Sequence, residues 1–107
     1  MHRYGSVIKL KSDKLDEYKE LHENVWPTVL EKIKECNIRN YSIFYKDGVL
    51  FSYFEYVGDD FDADMLSMAD DPNTQAWWEL TDPCQDPFET RKAGEQWASM
   101  EEFFHTD

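Results

Sequence analysis

The chain has 107 residues, long enough for one sizeable hydrophobic core and too short for two, so a single domain spanning 1–107 is expected. Acidic residues outnumber basic ones by 23 to 11, giving a net charge of −12, which argues against nucleic acid and against an anionic membrane surface as partners. Aromatic residues make up 16% of the chain and include four tryptophans, a surplus suited both to a core and to the lining of a pocket for a flat or sugar-like ligand.

Residues 1–6 (Met-His-Arg-Tyr-Gly-Ser) lack the apolar run of a secretory leader, and no later stretch approaches the length of a membrane span. Residues 3–10 alternate, with Tyr4, Ser6, Ile8 and Leu10 on one side and Gly5, Val7 and Lys9 on the other, as in a strand. Ser12 or Asp13 is placed to cap a helix. At 100° per residue, Leu15, Tyr18, His22, Val25 and Trp26 share one face of that helix, and Asp13, Asp16, Glu17, Glu20 and Glu23 share the other. Pro27 cannot donate to the carbonyl of Glu23 and crowds it, so the helix must kink or restart there. Helical spacing resumes through Val29, Leu30 and Ile33 and ends near Asn37.

Residues 38–46 alternate again, with Tyr41, Ile43 and Tyr45 on one face. Asp47-Gly48 supplies the positive φ angles of a tight hairpin, and residues 49–57 form the returning strand. Phe61, Met65 and Met68 mark a helix whose methionines read as core. Asp71 and Pro72 cap and open a further helix that carries Trp77 and Trp78. Residues 81–94, with two prolines, read as a loop. The tail from Trp97 to Phe104 suits a helix by composition, but the order β-α-β-β-α favours a fourth strand there. The fold class expected is therefore α+β, a ferredoxin-like βαββαβ antiparallel sheet with helices on one face.

Cys36 and Cys84 follow no zinc or CxxC spacing, and His2, His22 and His105 lie far apart, so no metal site built by the chain is expected. Two unpatterned cysteines fit free thiols in a reducing cytoplasm. His22 is the residue with chemistry to offer. An imidazole on an aromatic-lined helix face either bonds to a backbone carbonyl as part of the core or acts as a general acid/base, since a free histidine titrates near pH ~6.5. The tyrosine one turn before it, the helix break at Pro27 and the aromatic surplus favour acid–base chemistry on a small neutral molecule. Trp77 and Trp78 point about 100° apart along a helix, so they either divide between core and surface or wall a pocket between them. Tyr41, beside Asn40, reads as a half-buried strand tyrosine or as a ligand contact.

Taken together, the Tyr18-x3-His22-x3-Trp26-Pro27 block, the Asn40-Tyr41-Ser-Ile strand, Leu50-Phe51, Trp77-Trp78 and the ending from Met100 to Asp107 resemble the L-rhamnose mutarotase family over nearly the whole chain. The resemblance implies a dimeric ferredoxin-like fold of the α/β-barrel type, a homodimer working without metal or organic cofactor. It implies an isomerase that interconverts the anomers of L-rhamnose or a related 6-deoxy-L-sugar. Carried over position by position, it makes His22 the catalytic proton donor and Tyr18, Tyr41, Trp77 and Trp78 the sugar-binding residues. The loop at 81–97 offers no motif from which further ligand contacts can be read. Two other functions share this kind of scaffold: a cofactor-independent monooxygenase acting on quinol-like substrates, and a non-catalytic sugar-binding module.

Overall fold

The structure, a computed structural model, describes residues 1–107. The first strand, β1 (His2–Leu10), is followed by a 3-10 turn at Ser12–Lys14 and helix α1 (Leu15–Glu23). Neither Ser12 nor Asp13 caps α1: both belong to the 3-10 turn, and the residue at the cap position, Lys14, supplies no side-chain bond. Chain direction breaks at Asn24–Trp26, and α2 (Pro27–Glu35) starts with Pro27 at its first turn, where a missing N–H costs nothing. Trp26 is therefore a linker residue between two helices and not a member of the α1 face.

Strands β2 (Ile38–Lys46) and β3 (Val49–Tyr56) form the expected hairpin, with φ of 51° at Asp47 and 82° at Gly48. A bulge interrupts β2 between Arg39 and Ser42. There Asn40 adopts a φ of 51°, and its amide donates to the Glu55 carboxylate at 2.7 Å. Helix α3 (Phe61–Ala69) begins where the Asp60 carboxylate accepts from the Ala63 N–H, and α4 (Pro72–Thr81) where Asp71 accepts from the Thr74 N–H. Both caps satisfy a donor that the first helical turn leaves free.

The segment expected to be a loop after Thr81 contains a 3-10 turn at Asp82–Cys84 and a two-residue strand, β4 (Gln85–Asp86). The fourth-strand position is split. Gln85 and Asp86 pair with Leu10 and Lys9, whereas β5 (Ala98–Met100) pairs with Val7, Ser6 and Gly5 farther along the same edge of β1. Pro87 has no N–H to continue the ladder, which ends β4. Residues 101–107 carry no regular structure, so the strand expected over 97–104 is shorter than its alternation suggested. The sheet runs β2-β3-β1 and then β4 with β5, all antiparallel, which is the ferredoxin-like order.

Period-two alternation assigns the two faces of the sheet. On the helix side Ser6, Ile8 and Tyr4 stand opposite Ser52, Leu50 and Phe54. Ile8, Leu10, Leu50, Tyr18 and Cys84 form the tight part of the core. Burying an aliphatic side chain such as Ile8 contributes about 1.5–3 kcal/mol. Toward the other end of the sheet the packing opens, and Met65 and Met68 are half-buried rather than sealed in the core. On the opposite face Val7 and Phe44 flank Phe51, and Phe44 and Phe51 remain 64% and 40% exposed.

Candidate active site

The residues singled out by their sequence pattern converge between the helix face of the sheet and the helices. His22 sits in the last turn of α1, one turn after Tyr18. Its Nδ1 lies 2.8 Å from the Tyr18 carbonyl oxygen. A carbonyl can only accept, so Nδ1 carries the hydrogen, and Nε2 is the ring nitrogen with no partner within the chain. The imidazole is held between the Tyr18 ring, at 4.3 Å between centroids, and the edge of Trp77, at 5.6 Å. Trp26, brought round by the break before Pro27, packs its ring edge-on against Trp77 at 5.4 Å. The carbonyl bond expected of a core histidine is present, and the ring also lines a cavity.

That cavity has a volume of about 470 Å³, within the usual range of small-molecule sites. Tyr18, His22, Tyr41, Trp77 and Trp78 all line it. The tandem tryptophans divide as their angular offset requires: Trp77 is 6% exposed and Trp78 36%, yet both contribute to the wall. Tyr41 enters from the bulged part of β2, its ring edge-on to Phe54 at 5.6 Å. A smaller hollow of about 330 Å³ adjoins from the side of α2 and shares His22, Tyr41 and Trp77 with the main cavity. These three rings therefore stand at the junction of two open volumes.

Several further contributors carry no mark of a site residue in the sequence. Gln85, 5% exposed on β4, donates through Nε2 to Tyr18 Oη at 3.1 Å and accepts from Gln96 Nε2 at 3.2 Å. Because Tyr18 Oη accepts this bond, its own hydrogen is free to point at a ligand. Burial pushes the Tyr18 hydroxyl well above the ordinary tyrosine value, against the smaller lowering effect of the Gln85 bond, so the group stays a neutral donor through the physiological range. Ser6 and Ser52 share a hydroxyl bond of 2.5 Å on the sheet, and Trp97, Met65 and Met68 complete parts of the wall. Asp82 lines the cavity as well, just past the end of α4. Residues 82–97 lack periodicity: Asp82 is placed by the end of α4 and Gln85 by pairing with β1, which explains why sequence patterning missed them.

The arrangement combines a ring nitrogen free to exchange a proton, a neutral phenol, neutral amides and hydroxyls, and flat apolar walls. No group of three or more His, Cys, Asp or Glu side chains is gathered in a way that could hold a metal ion. No helix is long and apolar enough to cross a membrane.

The chain is similar in sequence and in fold to proteins already known. The family profile described as L-rhamnose mutarotase matches residues 3–106. An L-rhamnose mutarotase of Bacillus subtilis is 34% identical over 85 residues, covering 78% of this chain and 79% of that protein. Among solved structures, the L-rhamnose mutarotase of Formosa agariphila superposes with a TM-score of 0.78 at 22% identity, each chain covered in full. The tetracenomycin F2 cyclase of Streptomyces glaucescens, a type-II polyketide cyclase, superposes with a TM-score of 0.75 at 15% identity, over 100% of this chain and 98% of that one. The two structural likenesses speak for the fold alone.

Proposed function

Because the chain belongs to the L-rhamnose mutarotase family, we propose that it is a cofactor-independent mutarotase interconverting the α and β anomers of L-rhamnose, with His22 as general acid/base. Tyr18, Tyr41, Trp77 and Trp78 bind the sugar, and residues 1–107 act as one domain. The observation that carries this reading is that an imidazole with Nδ1 anchored on the Tyr18 carbonyl lines one cavity together with two tyrosines and two tryptophans.

Opening a pyranose breaks the C1–O5 bond, with the electron pair going to O5. A proton must arrive on O5 as another leaves the anomeric hydroxyl. Rotation about C1–C2 and closure on the other face of the aldehyde reverse both transfers. His22, protonated at Nε2, gives its proton to O5 and takes it back on closure. One well-placed acid/base contributes about 10²–10⁴-fold. Tyr18, neutral and with its hydrogen free, donates to a sugar oxygen, and the tryptophan faces hold the apolar C–H side of the ring. Holding the sugar in one orientation supplies further rate without covalent chemistry.

The chain works as a homodimer in this reading. Phe44, Phe51 and Met100 lie uncovered on the sheet face away from the helices, where a second copy would bury them. Two unpaired buried cysteines, Cys36 and Cys84, support a cytoplasmic location.

The test is saturation transfer between the α and β anomeric protons of L-rhamnose. The wild-type protein accelerates exchange at catalytic concentration, and His22→Ala reduces that acceleration about 10²-fold or more. Wild-type-like exchange in His22→Ala removes the imidazole from the mechanism. Running the same measurement on L-fucose and L-lyxose ranks the sugars, because sites that hydrogen-bond hydroxyls discriminate between stereoisomers.

A further inference from the structure

Proton bookkeeping leaves one post unfilled. If His22 serves O5, a second group must take the hydrogen of the anomeric hydroxyl. The geometry points to Asp82 as that base, a catalytic partner of His22 lining the same cavity. This inference rests on the mutarotase reading above.

Four observations carry it. The chain has 23 acidic residues, but Asp82 is the only carboxylate that lines the cavity; the other lining groups are apolar, neutral polar, phenolic or the imidazole itself. Asp82 follows Trp78 by four residues, and its N–H donates to the Trp78 carbonyl, so the turn that presents the exposed tryptophan continues directly into the carboxylate. The side chain has no hydrogen bond or ion pair within the chain, and its pKa is raised by desolvation of the part turned to the cavity, the residue as a whole being exposed. Finally, Asp82 stands at the C-terminal end of α4, where the helix dipole disfavours negative charge, so helix stability gives no reason for an acid there. Its charge is near enough to Tyr18 to help hold that hydroxyl in its neutral form.

The step balances. As the C1–O5 bond breaks, O5 takes the Nε2 proton of His22 and the O1–H proton passes to the Asp82 carboxylate, the O–H electron pair becoming the C1=O π bond. The enzyme then holds a neutral imidazole and a neutral carboxylic acid. Closure on the opposite face returns the O5 proton to His22, and Asp82 gives its proton back to O1. No external acid, base or oxidant is consumed.

Asp82→Asn keeps the shape and removes the base, and Asp82→Ala opens space for a small carboxylate. Saturation-transfer exchange at saturating L-rhamnose, sugar affinity by tryptophan fluorescence, and far-UV circular dichroism are measured on the full chain. The expected result is a fall of about 10²-fold or more in the exchange rate constant for both variants, with sugar affinity within about threefold of wild type and the spectrum unchanged. Formate is expected to restore exchange in Asp82→Ala in proportion to its concentration, while leaving wild type and His22→Ala unaltered. Exchange in Asp82→Asn within about threefold of wild type overturns the assignment, as does a loss that appears wholly as weaker sugar binding at unchanged saturated rate. Should the wild-type protein fail to accelerate L-rhamnose exchange at all, the mutarotase reading itself falls; an active wild type with an active Asp82→Asn removes the base alone.

Discussion

Gln85 donates its amide to the hydroxyl of Tyr18 across 3.1 Å, joining two positions 67 residues apart. The bond ties the short β4 strand to helix α1 and turns the Tyr18 hydrogen outward. Tyr18→Phe leaves the buried Gln85 amide without an acceptor, which costs about 1–3 kcal/mol. Urea denaturation is expected to show that loss together with weaker sugar binding. A loss below about 0.5 kcal/mol would mean the amide finds another partner. Gln85→Met, of similar volume, is expected to preserve the fold but weaken binding, since Tyr18 Oη is then free to turn away from the ligand.

Gly58 lies where the chain leaves β3. A Cβ at this position would sit 2.5 Å from Tyr56 Oη and 2.7 Å from Asn37 Nδ2. Both atoms are fixed by the Asp64 carboxylate, to which Tyr56 and Asn37 donate. Relief by side-chain movement therefore breaks hydrogen bonds. Gly58→Ala is expected to destabilise the protein by about 1–3 kcal/mol, seen as a lower urea midpoint at unchanged slope.

The same cluster is expected to contribute to both the acid and the alkaline arm of stability. Asp64 is held below the usual aspartate value, first by the Tyr56 hydroxyl and then by the Asn37 amide. A lowered folded-state pKa gives stability that is complete above the unfolded value of about 3.9 and is lost as pH falls below it. Tyr56 moves the other way: burial first, then its bond to Asp64, push it up to about 12. Its contribution is complete below the unfolded tyrosine value of about 10 and disappears as pH rises toward the folded value. Tyr56→Phe is expected to flatten the alkaline arm of a stability–pH curve measured by urea denaturation, and Asp64→Asn the acid arm. Unchanged arms in both variants would remove this cluster as their source.

Phe51 pairs with Phe44 on one side and Val7 on the other, in the middle of the outer sheet face. Phe51→Asp places a charge in the surface that a second copy would cover. Sedimentation equilibrium is expected to give a dimer for wild type and a monomer for this variant. A wild-type monomer at micromolar concentration removes the dimer from the proposal.

The parts of the site legible in the sequence are those set by local periodicity. Tyr18 and His22 fall on one helix face because they are one turn apart, and Trp77 and Trp78 diverge because adjacent helical residues must. The hairpin at Asp47-Gly48 was legible for the same local reason. The cap expected at Ser12 or Asp13 failed because a 3-10 turn took up both residues before the α-helix began. Gln85 escaped notice because long-range pairing with β1, not periodicity, brings it to the cavity, Gln96 follows by its bond to Gln85, and Asp82 lies at the end of α4 where no spacing marks it. The core role assigned to Met65 and Met68 erred in kind: their spacing identified the inward face of α3, but that face borders an opening.

The position of β1 has a consequence for how the chain is made. It precedes the other elements in chain order, yet it occupies the middle of the sheet, with β3 on one flank and β4 and β5 on the other. Until residues beyond 98 have been synthesised, one rim of this strand has no hydrogen-bonding mate along Gly5–Val7. A nascent chain stalled before that point presents an open ladder to its neighbours. Ribosome-bound fragments ending near residue 80 have one rim of β1 covered by β3 and the other open to intermolecular pairing, and synthesis through residues 98–100 supplies the missing mate.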